Sequence, residues 1–164
     1  MAISEVPVQR FSLVSSRPFA EVVAKIEAAV GHPDMREFGR KVAAAANWQE
    51  LEDVVQSMIG PSGFMEFARF NLGQILEKER GAAAPKILRF VVGNPLVMKK
   101  MAEHVPDTAS YAPVTILIDE RADGVHLTYD LMASYLAPYG NRAALDVAHV
   151  LDAKVEALLG AAAN

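Results

Sequence analysis

One segment constrains the fold of this 164-residue chain more than any other, the run from Gly93 to Asp130. Asn94 followed by Pro95 predicts the start of a helix, because an Asn side chain can accept a hydrogen bond from a free amide. Proline is suited to the first helical position, where its missing N–H would have no partner. Pro106 is expected to end that helix, since the residue before a proline is disfavoured in α geometry.

The second half of this segment predicts a β-hairpin. Apolar residues alternate through positions 114–118 and 125–129, which is typical of two half-buried strands. Between them, Asp123-Gly124 supplies the positive φ that a tight turn requires. Proline and acidic residues discourage further strand pairing, so three positions favour placing this hairpin at a sheet edge. These are Pro113, Asp119 and Asp123.

The rest of the chain predicts three more strands and further helices. Strands are expected at residues 8–14, 64–70 and 86–92. Six helices are expected in all, including the one that begins at Pro95. Three others are expected to begin after Pro18, Asp34 and Asn47, and two more to cover residues 72–80 and 143–159. Asp34 with Glu37 and Asn47 with Glu50 have the spacing of capping boxes. Residues 161–164 are expected to fray.

This order of elements favours an α+β fold. We expect a single-layer, mainly antiparallel sheet of about five strands packed with helices, ending in a β-hairpin and a C-terminal helix. The length is that of a single domain over residues 1–164. A doubly wound nucleotide fold is excluded, because neither Gly-x-Gly-x-x-Gly nor a Walker loop is present.

Composition excludes several classes of function. The chain has no cysteine, which rules out disulfides, thiolate metal sites and cysteine nucleophiles. Its net charge of −4 argues against nucleic acid as a partner, since phosphate binding needs a basic face. No stretch approaches the ~18 apolar residues of a membrane span. Residues 1–10 include Glu5 and lack an apolar run, so no secretory signal is expected and a cytoplasmic location is the default.

The motifs also carry a family resemblance. Gly-Asn-Pro before an apolar helix, a proline-led strand, an acidic-Gly hairpin and a Tyr-Asp exit together resemble the family catalogued as domain of unknown function 302. The resemblance is clearest over residues 64–136. It implies a compact α+β fold, often self-associating, with no established activity. Short members of the family pass from the first helix almost directly to a strand, so residues 34–60 are expected to be a helical insertion.

Candidate metal and catalytic residues are few. None of the four histidines has the spacing of a zinc helix, and Met98 and Met101 before His104 are better explained as core filling, so no metal or other cofactor is expected. His126, with Tyr129 and Asp130 nearby, is the best candidate for acid–base chemistry, because its pKa lies near neutrality. A surface histidine in a cross-strand pair is the preferred alternative.

Candidate binding residues cluster around the helix start and the hairpin. The Gly93–Asn94 junction could hold an anion at a helix N-terminus, although ordinary capping is preferred. All four tyrosines fall between positions 111 and 139, and with nearby methionines they would line a pocket or a dimer face, or else close the core. The candidate ligand-binding residues are Gly93, Asn94, Met98, Met101, Tyr111, His126, Tyr129 and Asp130.

Three hypotheses about function follow. The preferred one is a non-catalytic domain that binds a small ligand or a partner and self-associates as a homodimer. The second is a structural homodimerisation domain without a ligand. The third is a metal-independent enzyme in which His126 and Asp130 transfer protons.

Overall fold

The computed structural model describes residues 5–81 and 84–164. Residues 1–4 belong to the N-terminal segment in which no secretory signal is expected, and they lie outside the described residues. The described residues form five strands and seven α-helices. The strands are β1 (Arg10–Ser15), β2 (Met65–Asn71), β3 (Ile87–Gly93), β4 (Val114–Arg121) and β5 (Gly124–Asp130). The helices are α1 (Phe19–Ala29), α2 (Met35–Ala44), α3 (Trp48–Gln56), α4 (Gly73–Arg80), α5 (Pro95–Ala102), α6 (Met132–Leu136) and α7 (Arg142–Ala163).

The five strands form one sheet in the order β1-β5-β4-β3-β2, and every neighbouring pair is antiparallel. The predicted α+β class with a mainly antiparallel sheet is therefore confirmed. The hairpin prediction is also confirmed, with Ile118 opposite Leu127 and Gly124 at φ +140° directly after the turn, at the start of β5.

The expected edge position of the hairpin is wrong. β4 and β5 are inner strands, whereas β1 and β2 form the edges. The polar residues do not block pairing because they lie at the turn end of the hairpin. Asp119 is ion-paired with Arg121, and Asp123 lies between the strands. Val114, Ile116 and Ile118 are almost fully buried along β4 and place that strand in the middle of the core.

The helices and the sheet bury one continuous apolar cluster. Alternate residues of β3, β4 and β5 face α1 and α7, and the centre of this cluster includes Ile26, Phe90, Ile116, Leu127 and Val155. A smaller cluster forms where α2 and α3 meet α5, around Phe38, Val55, Met65 and Leu96. The opposite face of the sheet carries exposed side chains at Ser12, Val14, Phe70, Arg89 and Thr115.

The predicted helix starts are correct. Asp34 Oδ1 accepts hydrogen bonds from the amides of Arg36 and Glu37, at 2.9 and 2.8 Å. Asn47 Oδ1 accepts one from Glu50 N, at 3.0 Å. These side chains satisfy amides that a helix leaves without an internal partner.

Two helix ends and one additional helix differ from the prediction. α5 ends at Ala102, well before Pro106, which instead begins a short 3-10 turn over residues 106–110, where its constrained φ suits a first helical position. α6 is an additional helix, whose five residues are too few to show a periodic pattern. The end of α7 is not frayed, because Ala162 is buried and Ser15 Oγ donates to the carbonyl of Ala163 at 2.6 Å.

Candidate functional site

The junction between β3 and α5 is held by the side chain of Asn94. Its Oδ1 accepts from Leu96 N at 2.9 Å, and its Nδ2 donates to the carbonyl of Gly63 at 3.0 Å. Both ends of the amide are therefore engaged within the fold. This arrangement caps α5 and ties its start to the loop before β2.

A small apolar cleft opens beside this junction, between α5 and the start of β4. Its cavity volume is about 100 Å³. The walls bring together four of the candidate residues, Gly93, Asn94, Met98 and Met101. The remaining apolar wall is supplied by other parts of the chain, including Phe67, Val97, Pro113 and Leu151.

Gly93 keeps the strand close to the other wall of this cleft. A Cβ at this position would lie 3.1 Å from Cβ of Pro113 and 3.6 Å from the ring of Phe67. The absence of a side chain therefore lets three segments meet at the cleft. Met101 is fully buried and Met98 is half-buried. Both line the cleft, so thioether groups form part of the cleft surface.

A second pocket lies next to this cleft and shares Pro113 and Val114 with it. Its cavity volume is about 280 Å³. The strand register places Thr115, Leu117 and Thr128 of its lining on the sheet face opposite α1 and α7. We call it the tyrosine pocket, because Tyr111 and Tyr135 also line it.

The tyrosine pocket is bounded by an aromatic pair. The rings of Tyr111 and Tyr135 stack with centroids 4.6 Å apart and planes inclined by 14°. The Tyr111 hydroxyl lies 3.2 Å from that of Tyr139. That hydrogen bond, together with one donated to the Asp107 carboxylate, raises the pKa of Tyr139. Burial, followed by the negative charge of Asp130, raises the pKa of Tyr135.

An ion pair lies at the rim of the tyrosine pocket. Arg10 and Asp130 are opposite each other in the β1–β5 register. The guanidinium donates from Nε to Oδ1 at 2.6 Å and from Nη2 to Oδ2 at 2.9 Å. The hydrogen bond with Asp130 raises the pKa of Arg10 above its ordinary value.

His126 and Asp130 do not form a proton-transfer pair in this structure. His126 Nε2 lies 2.8 Å from Asp123 Oδ1, and this contact lowers the pKa of Asp123. Asp130 is paired with Arg10, and four residues of extended β5 place it roughly 13 Å from His126 along the strand. Tyr129 points to the opposite face of the sheet and is buried.

Sequence reasoning missed the partner of Tyr129, which is Asp152 on α7. The Asp152 carboxylate is buried and accepts from the Tyr129 hydroxyl at 2.7 Å, from Met132 N at 2.8 Å and from Ala133 N at 3.0 Å. Burial and the nearby carboxylate raise the pKa of Tyr129. The available signal was an acidic residue on the apolar stripe of a helix, four positions after Ala148.

Residues 5–81 and 84–164 contain no group of three or more His, Asp or Glu side chains placed to hold a metal ion. None of their helices combines the length and apolar content needed to cross a bilayer.

Comparisons with known proteins agree with the architecture. The crystal structure of an uncharacterised conserved DUF302 protein from Bacillus stearothermophilus is similar to this fold, with a TM-score of 0.64 at 11% sequence identity. The similarity covers 93% of this chain and 97% of that one. A search of curated proteins gives no match. A family sequence model described as Domain of unknown function DUF302 matches residues 38–162, so the predicted resemblance is confirmed and the chain belongs to the DUF302 family.

Proposed function

We propose that this protein is a non-catalytic domain that binds a small apolar molecule in the cleft beside the β3–α5 junction. The observation that carries the proposal is the cleft itself, whose apolar walls come from five elements, β2, β3, α5, β4 and α7, and the residues next to them. Pockets for small molecules are typically lined mainly by apolar side chains, with few polar groups. The cytoplasmic location expected from the sequence belongs to the same proposal.

The size and flexibility of the cleft indicate its ligand class. An apolar cavity of about 150 Å³ can take up benzene. The cleft is of the same order, at about 100 Å³, and is open to solvent on one side. Thioether side chains adapt their shape readily and contact aromatic rings favourably. A planar ring packed against Met98 and Met101 therefore fits these walls.

Indole is a suitable probe of this site. With methionine methyl groups labelled with ¹³C, indole is expected to shift the NMR signals of Met98 and Met101 while leaving unchanged that of Met35, which does not line the cleft. Val97→Trp should fill the cleft and abolish the shifts. Val150→Trp, on an exposed position of α7, is the matched control and should retain them. Unshifted Met98 and Met101 signals with saturating indole, or unchanged binding in Val97→Trp, would contradict the proposal.

Self-association is a second candidate function, favoured by the sheet face opposite α1 and α7. Val14 and Phe70 are respectively 52% and 41% exposed near its two edges. Half-buried Leu117 and Val91 lie between them. Apolar side chains spread over one sheet face are typical of surfaces that pack against another protein.

A further inference from the structure

We infer that the tyrosine pocket binds a small aromatic carboxylate, with its ring beside Tyr111 and Tyr135 and its carboxylate on Arg10. This second site is independent of the apolar cleft proposed above. It rests on the shape of the pocket, on its hydrogen-bonding groups and on the accessibility of the ion pair at its rim.

The hydrogen-bonding groups at the rim of the tyrosine pocket favour a ligand that accepts hydrogen bonds. Asp130 already accepts from Arg10 at both carboxylate oxygens. Arg10 uses Nε and Nη2 in those bonds, so the N–H groups of Nη1 stay directed away from Asp130. A ligand carboxylate on Nη1 gains a charge-assisted hydrogen bond without breaking the existing pair.

The exposure of the Arg10–Asp130 ion pair also favours a ligand that binds to Arg10. The Arg10 side chain is 63% exposed, whereas that of Asp130 is 29% exposed. The guanidinium is therefore the member that a ligand reaches first. A cationic ligand would have to displace Arg10 from Asp130 and lose two short hydrogen bonds to do so.

The interior of the pocket matches an aromatic ring. The stacked tyrosines supply rigid aromatic surface, Leu117 supplies an apolar floor, and the Thr115 and Thr128 positions add hydroxyl groups. The volume of about 280 Å³ is below that of most drug-sized sites and suits a single substituted ring.

Benzoate is the probe, and benzylamine is its cationic counterpart of similar size. Calorimetric titration of the full chain is expected to show benzoate binding with a Kd on the order of 1 mM. Benzylamine should bind at least about tenfold more weakly. Absence of benzoate binding up to about 20 mM, or a preference for benzylamine, overturns the inference.

Substitutions of the two rim residues should act in opposite directions. Arg10→Gln removes the positively charged guanidinium and should weaken benzoate binding about tenfold, whereas Asp130→Asn removes the competing charge and should strengthen it severalfold. Arg142→Gln is the matched control, because Arg142 is 92% exposed on α7, and it should leave the Kd unchanged. Weakening by Asp130→Asn, or no effect of Arg10→Gln, overturns the inference.

Two substitutions to phenylalanine distinguish loss of the pocket from loss of the fold. Thr115→Phe places a ring in the pocket and should abolish benzoate binding. Val14→Phe places the same ring on the same sheet face, opposite His126 and outside the pocket lining, and should not. Near-ultraviolet circular dichroism checks that each variant retains native packing. Equal benzoate binding in folded Thr115→Phe overturns the placement of the site.

Discussion

At the scale of single residues, Asp152 joins three elements of the fold through one buried side chain. One buried carboxylate holds the Tyr129 hydroxyl of β5 and two amides at the start of α6. α6 has no side-chain cap of its own, so a residue from a different helix takes that role. The bonds are charge-assisted, and they join β5, α6 and α7 at one point.

Asp152→Asn is therefore expected to destabilise the fold by about 2 to 3 kcal/mol, because a neutral amide cannot reproduce the charged acceptor at all three donors. The free energy of unfolding from urea titration, followed by circular dichroism, measures this. Asp146→Asn, on an exposed side chain of the same helix, should change stability by less than about 0.5 kcal/mol. Equal effects of the two substitutions would show that the buried network contributes nothing.

Asn94 shows how much of a residue's role was predictable. Its side-chain bond to Leu96 N follows from the local Asn-Pro pattern alone, and the structure contains it. Its second bond, to Gly63 O, joins residues far apart in the sequence and could not be read from that pattern. Local capping needs only neighbouring residues, whereas the second contact exists only after β2 and β3 have paired.

At the scale of elements, α1 is joined to the start of β2 through Gly31. Gly31 N donates to Phe64 O at 2.9 Å, and Glu66 N donates to Gly31 O at 2.8 Å. Met58 O approaches so closely that a Cβ on Gly31 would lie 1.9 Å from it. The backbone contact leaves no room for a side chain, so α1 is linked to the sheet edge only because this residue is glycine.

Substitutions at two glycines should therefore have opposite effects. Gly31→Ala is expected to destabilise the chain by more than about 3 kcal/mol, because the backbone must separate. Gly39→Ala lies in α2 with open space around the new Cβ and should stabilise it by about 0.5 to 1 kcal/mol. Thermal unfolding of both variants measures the difference. An unchanged melting temperature for Gly31→Ala would disprove the close contact.

The elements themselves were largely predictable, since their patterns are local. Asp34 and Asn47 cap the starts of α2 and α3, as their capping-box spacing predicted. Pro106 was misjudged because proline both disfavours a preceding helix and suits the start of a new turn, and in this chain it begins a turn. The end of α7 was misjudged because Ser15 and the core hold it from outside the helix.

At the scale of the whole molecule, the sheet has two unlike faces. One face lies beneath α1 and α7, and the other carries the tyrosine pocket and exposed apolar side chains. A homodimer formed through this second face would cover Val14 and Phe70.

The oligomeric state tests this arrangement. Sedimentation equilibrium is expected to give twice the mass of the chain, and the combined substitutions Val14→Glu and Phe70→Glu should yield the monomer, because carboxylates without a charged partner would be buried. Val150→Glu, on an equally exposed apolar position of α7, is the control and should remain dimeric. A native chain that sediments as a monomer at high concentration would refute self-association through this face.

The candidate site was predictable only in part, as its residues show. Gly93, Asn94, Met98 and Met101 were grouped by sequence proximity, and they share one cleft. His126, Tyr129 and Asp130 were grouped on the same basis, yet they have different partners and lie on two faces of the sheet. Residues in consecutive turns of a helix stay near one another, whereas alternate residues of a strand point in opposite directions.

The amino-acid sequence by itself determined the helix starts, the hairpin, the α+β class and the family, because each depends on short-range patterns of apolar, capping and turn residues. Only the tertiary structure decided that the hairpin is central and that Asp152 supports Tyr129. It also decided that Arg10 stands beside Asp130 at the rim of a pocket. These relations join residues far apart along the chain, and strand pairing and burial create them only when the whole sheet forms.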